Sequence, residues 1–442
     1  MNTASPARPR DPRLDFFRGV AMFIILLAHT PGNPWTLWIP ARWGFSDATE
    51  MFVFCSGMAS ALAFGRIFEQ HGMPMGTVRI AHRMWQVYWS HLAMFLAVFA
   101  VVVTLNLLNA TDRDYVGQLN LYPFVKNPTE NLLGLMTLTY VPNYFDILPM
   151  YLVILAMIPL MMALSRISVW AVFGAMFLIW FAAQFDRWYD AGYESLKPLA
   201  EATWFLHFPA QYWFDPPNNT RSWFFNPFGW QLVFFTGFAF MRGWIPAPPV
   251  KGWLIALALA IVLINLPLSN IGVRIWTLEP VKALEIGWAS DWRATVIEWR
   301  QGHRHWFTKS DFGVLRYVQF LSLAYLAWAA AGPMGARLSV GRVWTFIVDI
   351  FRKVGQQSLA VFVTSMVLAR FLGFLMDVYA RYPDGPGKDP WIVLAINAFG
   401  FAVIIATAYL VGWFKREPWR RPPEPHPRPQ PTQSYPAGGQ PV

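Results

Sequence analysis

An arginine and a histidine, Arg18 and His29, stand eleven positions apart in the first apolar stretch of the chain. At 100° per residue that separation is three helical turns plus roughly 20°, so both side chains share one face, about 16 Å apart along the axis. One reading makes them ordinary: Arg18 snorkels to one headgroup layer and His29 caps the other end of a span. The other reading is chemical. Imidazole is the side chain best suited to take a hydroxyl proton near neutral pH. A guanidinium at the far end could hold a phosphate, with an arm the length of phosphopantetheine carrying a thioester to His29.

Other polar residues bear on the same chemistry. Asp47 and Glu50 lie three apart where the next apolar stretch begins. A carboxylate there could fix the His29 tautomer and stabilise the imidazolium, or could simply be acid at a helix N-terminus. Arg79, His82 and Arg83 precede the third stretch, either as headgroup anchors or as a phosphate site. Arg370 and Asp377 share a face as an ion pair, or Arg370 offers a cationic site to an anionic acyl group. His303-Arg304-His305 lacks further ligands, so no metal site is expected. The single cysteine, Cys55, gives neither a disulfide nor a thiolate metal site.

The elements that must position these residues follow from composition. Of 442 residues, 55% are hydrophobic and only 14% charged, against roughly 45–50% and about 25% in soluble domains. The apolar residues come in blocks, with 24 Trp and 37 Phe, as expected where aromatic rings sit at membrane interfaces. A helix needs roughly 20 apolar residues to cross the hydrocarbon. Ten segments qualify as candidates: 14–30, 47–68, 87–108, 145–164, 169–185, 228–241, 253–268, 316–331, 357–378 and 391–413. The sixth and seventh are short. No small-residue cleavage site follows 20–28, so the first block is retained as a span. No run of alternating ten-residue strands suggests a β-barrel. The expectation is an all-α, polytopic transmembrane bundle of about ten spans.

Placing the N-terminus in the cytoplasm leaves 18 basic residues against 5 acidic ones in the inner segments, while the outer segments are nearly balanced. The positive-inside rule therefore predicts that both termini are cytoplasmic. The formal charge of +10 is spread thinly between hydrophobic blocks and forms no aromatic-interleaved basic patch, so nucleic acid is excluded as a partner. The longer outer segments, 109–144, 186–227, 269–315 and 379–390, are rich in Trp, Asn and Pro, which suits a polar or carbohydrate ligand as well as ordinary loop caps. The expected organisation is a cytoplasmic segment 1–13, a membrane domain 14–414 and a Pro-rich, disordered cytoplasmic tail 415–442. No internal repeat signals an inverted-repeat transporter.

The order of motifs is similar to that of a known group. Leu14-Asp15-Phe16-Phe17 followed by Arg18 and His29 closely resembles the first-span motif of the acyltransferase-3 superfamily of membrane acyltransferases. Glu50-Met51-Phe52 through Ser56-Gly57 resembles its acidic-Phe-Phe…Ser-Gly motif, and Arg79-Ile80-Ala81-His82-Arg83 its arginine pair. The segments Tyr144-Phe145-Asp146-Ile147-Leu148-Pro149-Met150-Tyr151, Asn226-Pro227-Phe228-Gly229-Trp230-Gln231-Leu232, Lys309-Ser310-Asp311-Phe312-Gly313 through Arg316, and Gly355-Gln356-Gln357-Ser358-Leu359-Ala360-Val361-Phe362 look like the OpgC branch, the osmoregulated periplasmic glucan succinyltransferases. Ser365 stands where many superfamily members place a second histidine, which also favours that branch.

The resemblance covers about residues 11–413. It implies an O-acyltransferase of the bacterial inner membrane that takes an acyl group, succinyl, from cytoplasmic acyl-CoA and esterifies a periplasmic glucan. It implies no permanently bound cofactor and leaves the oligomeric state open. His29 is then the general base, oriented by Glu50, with Arg18, Arg79 and Arg83 as donor-side contacts. Arg370, Lys309 and Arg316 are candidate partners for a succinyl carboxylate. Direct transfer and a transient acyl-histidine both fit. The rivals are transfer of acetyl or another acyl group to a different envelope glycan, and a glycan or solute transporter that uses the same polar face.

Overall fold

The computed structural model describes residues 11–211, 221–382 and 387–419. The expected segment 1–13 and the Pro-rich tail therefore fall mostly outside the described residues. Among those residues the secondary structure is helical, with only two isolated bridges, Pro209–Ser222 and Arg381–Lys388. The longer helices are α1 (Pro12–His29), α2 (Ala48–Leu107), α3 (Ile147–Ile167), α4 (Val169–Ala182), α5 (Pro227–Arg242) and α6 (Gly252–Asn265). They continue as α7 (Ala289–Gly302), α8 (Val314–Ala331), α9 (Arg342–Gln356), α10 (Ser358–Val378) and α11 (Pro390–Phe414).

Six helical stretches are long and apolar enough to cross a membrane: α2, α3, Val169–Asp190, α8, α10 and α11. A seventh arises if α6 and Asn270–Thr277, bent by 42° where they meet, form one broken span. The chain is thus a multi-pass membrane protein with fewer qualifying helices than the ten segments expected. The difference has physical causes. Segments 47–68 and 87–108 share α2, whose 60 residues would extend roughly 90 Å if straight, about three hydrocarbon thicknesses. The helix is broken at Gly72, which adopts φ +77°, two residues before Pro74, a backbone region that glycine enters without steric cost. α1 carries Arg13, Asp15 and Arg18 within 18 residues, and α5 has only 16. Between α8 and α10, in a stretch counted among the inner segments, lies a further helix, α9.

Local chemistry fixes the ends of the first two helices. Asp11 caps α1 by accepting from the Arg13 amide at 3.0 Å. Thr30 stops the helix in an extended conformation, and Pro31 and Gly32 (φ +69°) turn the chain. Asp47 and Glu50 form a capping box at the start of α2: Asp47 accepts from the Thr49 amide at 2.6 Å, and Glu50 accepts from the Asp47 amide at 2.8 Å.

Small residues bring the helices together, as expected where lipid supplies no hydrophobic drive. A Cβ on Gly57 of α2 would run into the Phe234 carbonyl of α5, and one on Gly237 of α5 would meet the Phe54 carbonyl of α2. The same reciprocal approach joins Gly19 of α1 to Phe351 of α9, and Gly355 of α9 to Asp15 of α1. Gly57→Val is expected to cost about 1–3 kcal/mol of stability through overpacking. A lower midpoint of heat-induced aggregation in detergent reads this out; an unchanged midpoint would show that the α2–α5 contact relaxes freely.

Candidate active site

His29 is the last residue of α1, where the chain leaves the helix. Its Nδ1 lies 2.8 Å from the Ile25 carbonyl oxygen. A carbonyl only accepts, so Nδ1 carries the proton and Nε2 keeps its lone pair. The tautomer needed for a base is therefore set by α1's own backbone. One aromatic side chain stands against the ring, and a cation stands against that aromatic. Tyr144 meets it edge-on at 5.3 Å between centroids. Arg370 of α10 lies 4.0 Å above the Tyr144 ring and donates to the His29 carbonyl oxygen at 3.1 Å.

Tyr144 has φ +92°, an unusual backbone state for a residue with a Cβ, and such strain persists only where its surroundings over-determine it. They do so here. Its hydroxyl donates to the Met366 carbonyl at 2.5 Å. Phe145 is fully buried, and Asp146 accepts from the Phe224 amide at 2.8 Å.

The acidic pair at the start of α2 is bonded elsewhere. Lys309 donates to Asp47 at 2.5 Å, while Arg316 pairs with Glu50 through both Nε, at 2.7 Å, and Nη2. Arg316 also lies 3.6 Å from Asp47. Two carboxylates and two cations thus neutralise one another. The bond expected from Glu50 to His29 is replaced by the one from Ile25, and Glu50 serves the α2 cap and Arg316. Asp377 is likewise occupied, by Arg113 at 3.1 Å, Arg381 at 3.4 Å and Lys388 at 3.7 Å. Arg370 has no carboxylate partner among the described residues. It is only 8% exposed, and its Nε has no hydrogen-bond partner. Of the three cations considered for a substrate carboxylate, Lys309 and Arg316 are paired and Arg370 is not.

Two of the motif segments clasp each other beneath this cluster. The Asn226 amide donates to Ser310 O at 2.9 Å, and the Trp230 indole donates to Lys309 O at 2.8 Å. Asp311 is buried, accepting from Arg187 at 2.6 Å and from Asn226 at 3.1 Å, with His207 3.4 Å away. Burial pushes the Asp311 carboxyl up, but the His207 hydrogen bond and the Arg187 guanidinium outweigh it and hold the group below its ordinary value. A depressed carboxylate stabilises the fold above its unfolded value, about 3.9, and that contribution vanishes as pH falls through the folded value. Asp311→Asn is therefore expected to lose about 1–3 kcal/mol at pH 7, with the gap to wild type closing below about pH 4. Melting in detergent from pH 7 to pH 3 checks this; a constant gap would rule out the ionised Asp311 as its source.

At the opposite end of α1 lies a cavity of ≈ 1400 Å³. Arg18, Arg79 and Arg83 all line it, joined by Arg66, Arg242 and Lys415, against only two carboxylates, Asp11 and Glu69. The surplus of positive charge suits a multiply phosphorylated ligand. Arg79 and Arg83 follow the Gly72 break and line the same cavity as Ser56 and Phe64, which precede it. Arg18 hydrogen-bonds the Ser358 hydroxyl, and Gln356 and Gln357 line the same wall. In the sequence those three residues stand out only within the segment that begins at Gly355, and Tyr144 only as the first residue of its own segment. Their positions in that segment were the one available signal. His303 stacks on Trp299 with 5.0 Å between centroids, and His305 lies beside Tyr193 and Trp306.

No curated protein and no solved structure matches the chain. A family model described as OpgC protein matches residues 10–416. That match spans every helix from α1 to α11 and all the site residues above, and the chain belongs to the OpgC protein family.

Proposed function

We propose that this chain is a membrane O-acyltransferase that moves a succinyl group from cytoplasmic acyl-CoA to hydroxyls of a periplasmic glucan. Membership of the OpgC family implies an acyltransferase; the donor, the acceptor and the residue roles are our reading. The observation that carries it is the pairing of two sites on one helix. A base-competent imidazole ends α1, and a cavity lined by six cations opens at Arg18, eleven residues earlier. In this reading the cavity faces the cytoplasm, both termini lie there, and the membrane is the bacterial inner membrane.

The reaction would proceed as follows. His29 Nε2 removes the proton of the acceptor hydroxyl as its oxygen attacks the thioester carbonyl. The C–S bond breaks, and the imidazolium returns the proton to the departing thiolate. A transient acyl-histidine uses the same atoms in two steps. Arg18, Arg79 and Arg83 hold the phosphates of the donor, and the uncompensated Arg370 meets the terminal carboxylate of the succinyl group. Glu50 contributes by fixing Arg316 and the start of α2.

Mass spectrometry of glucans extracted from a strain lacking the gene, and from the same strain with it restored, tests the substrate. Succinyl esters should disappear and return with the gene; unmodified glucans in both, or acetyl esters instead, would contradict the reading.

A further inference from the structure

A second cavity adjoins the arginine-rich one at Gln356, in the angle between α9 and α11, with a volume of ≈ 1020 Å³. One side is built by Val403, Ala406, Leu410 and Trp413 of α11, a helix apolar enough to span a membrane. The other side is basic. Arg352, Lys353 and Arg416 line it against one carboxylate, Asp349. Arg352 pairs with Asp349 at 2.8 Å, yet its Nε is buried without a hydrogen-bond partner. Lys353 stands 5.5 Å over the Tyr409 ring and forms no ion pair among the described residues. The site thus joins a surplus of cations to two turns of apolar helix.

We propose that this cleft holds one anionic phospholipid, with its phosphate among Arg352, Lys353 and Arg416 and an acyl chain along Val403–Leu410. A soluble phosphate would satisfy the cations but leave the apolar wall uncovered. A zwitterionic lipid would cover the wall but bring a second positive charge beside Lys353. α9 itself fits a headgroup-level position. Val343, Phe346 and Ile347 are exposed on one side, while Arg342, Arg352 and Lys353 supply charge, the pattern of a helix lying in the interface. Basic pockets between helices on the cytoplasmic side are where anionic headgroups bind, and that placement rests on the orientation proposed above. Gln356 lines both this cleft and the donor cavity, so a bound lipid would form part of the wall behind the donor.

Native mass spectrometry of the full chain tests this, with dioleoylphosphatidylglycerol and dioleoylphosphatidylcholine added at equal concentration. Wild type should retain the anionic lipid about tenfold better, a difference of about 1.4 kcal/mol. Lys353→Ala/Arg416→Ala should remove that preference while eluting as wild type on size exclusion. Lys353→Arg, which keeps the charge, should retain it. Equal retention of both lipids by wild type, unchanged preference in the double variant, or displacement of the lipid by millimolar inorganic phosphate would each overturn the proposal. The readout is binding, so it stands or falls separately from the acyl-transfer reaction.

Discussion

Replacing His29 with alanine should leave a folded, membrane-inserted protein whose acyl transfer falls by about 10²–10⁴-fold, the usual contribution of a positioned general base. The structural cost should be small. His29 is the final residue of α1 and its side chain donates only to the Ile25 carbonyl. The contact that ties this turn to α10 runs from Arg370 to the His29 backbone oxygen, which alanine keeps. Initial rates in detergent, together with size-exclusion elution and melting midpoint, separate the two effects. A slow variant with a wild-type midpoint is the expected result. A variant that transfers at the wild-type rate would remove His29 as the base, whatever its stability.

The second large effect concerns donor choice. Arg370→Met removes the guanidinium but keeps an unbranched side chain to lie against Tyr144. A hydrogen bond to a charged group is worth about 1.5–3 kcal/mol, or roughly 10–150-fold in kcat/KM. Transfer from succinyl-CoA should fall by that factor, while transfer from acetyl-CoA, which has no terminal carboxylate, should change little. The comparison of donors is what makes the test specific. Arg370 also supports the His29 turn and the Tyr144 ring, and loss of that support alone would slow both donors equally. An unchanged ratio of the two rates would show that Arg370 does not read the carboxylate.

Hydropathy made most of the helices legible, because a span must satisfy its backbone internally and face lipid along its length. α9 escaped that reading. Its charges, Arg342, Asp349, Arg352 and Lys353, look like an inner loop when counted, although they gather within about 100° of one side of the helix, with Phe346 beside them and Val343 and Ile347 turned away. The Gly72 break was equally silent in a hydropathy count, yet Arg79 and Arg83, which follow it, line the same cavity as Arg18.

Helical spacing shows which residues share a face but not which residue arrives from elsewhere to bond them. Glu50 illustrates this: its partner Arg316 lies 266 positions away. Asp377 does share a face with Arg370, but Arg113, Arg381 and Lys388 surround it. Tyr144 could not have been singled out by spacing, since its left-handed backbone is imposed by the Asp146–Phe224 clasp and the Met366 bond. In each case the missing information is long-range, and in each it changes the role assigned to a residue.

In the mechanism proposed above, donor and acceptor meet at His29 from opposite sides of the membrane. Proteoliposomes with the cytoplasmic face inward, loaded with radiolabelled succinyl-CoA and given glucan only outside, test it directly. Label should accumulate on the external glucan with wild type and not with His29→Ala. Label transfer that requires donor and glucan on the same side, or that persists in His29→Ala, would contradict the account.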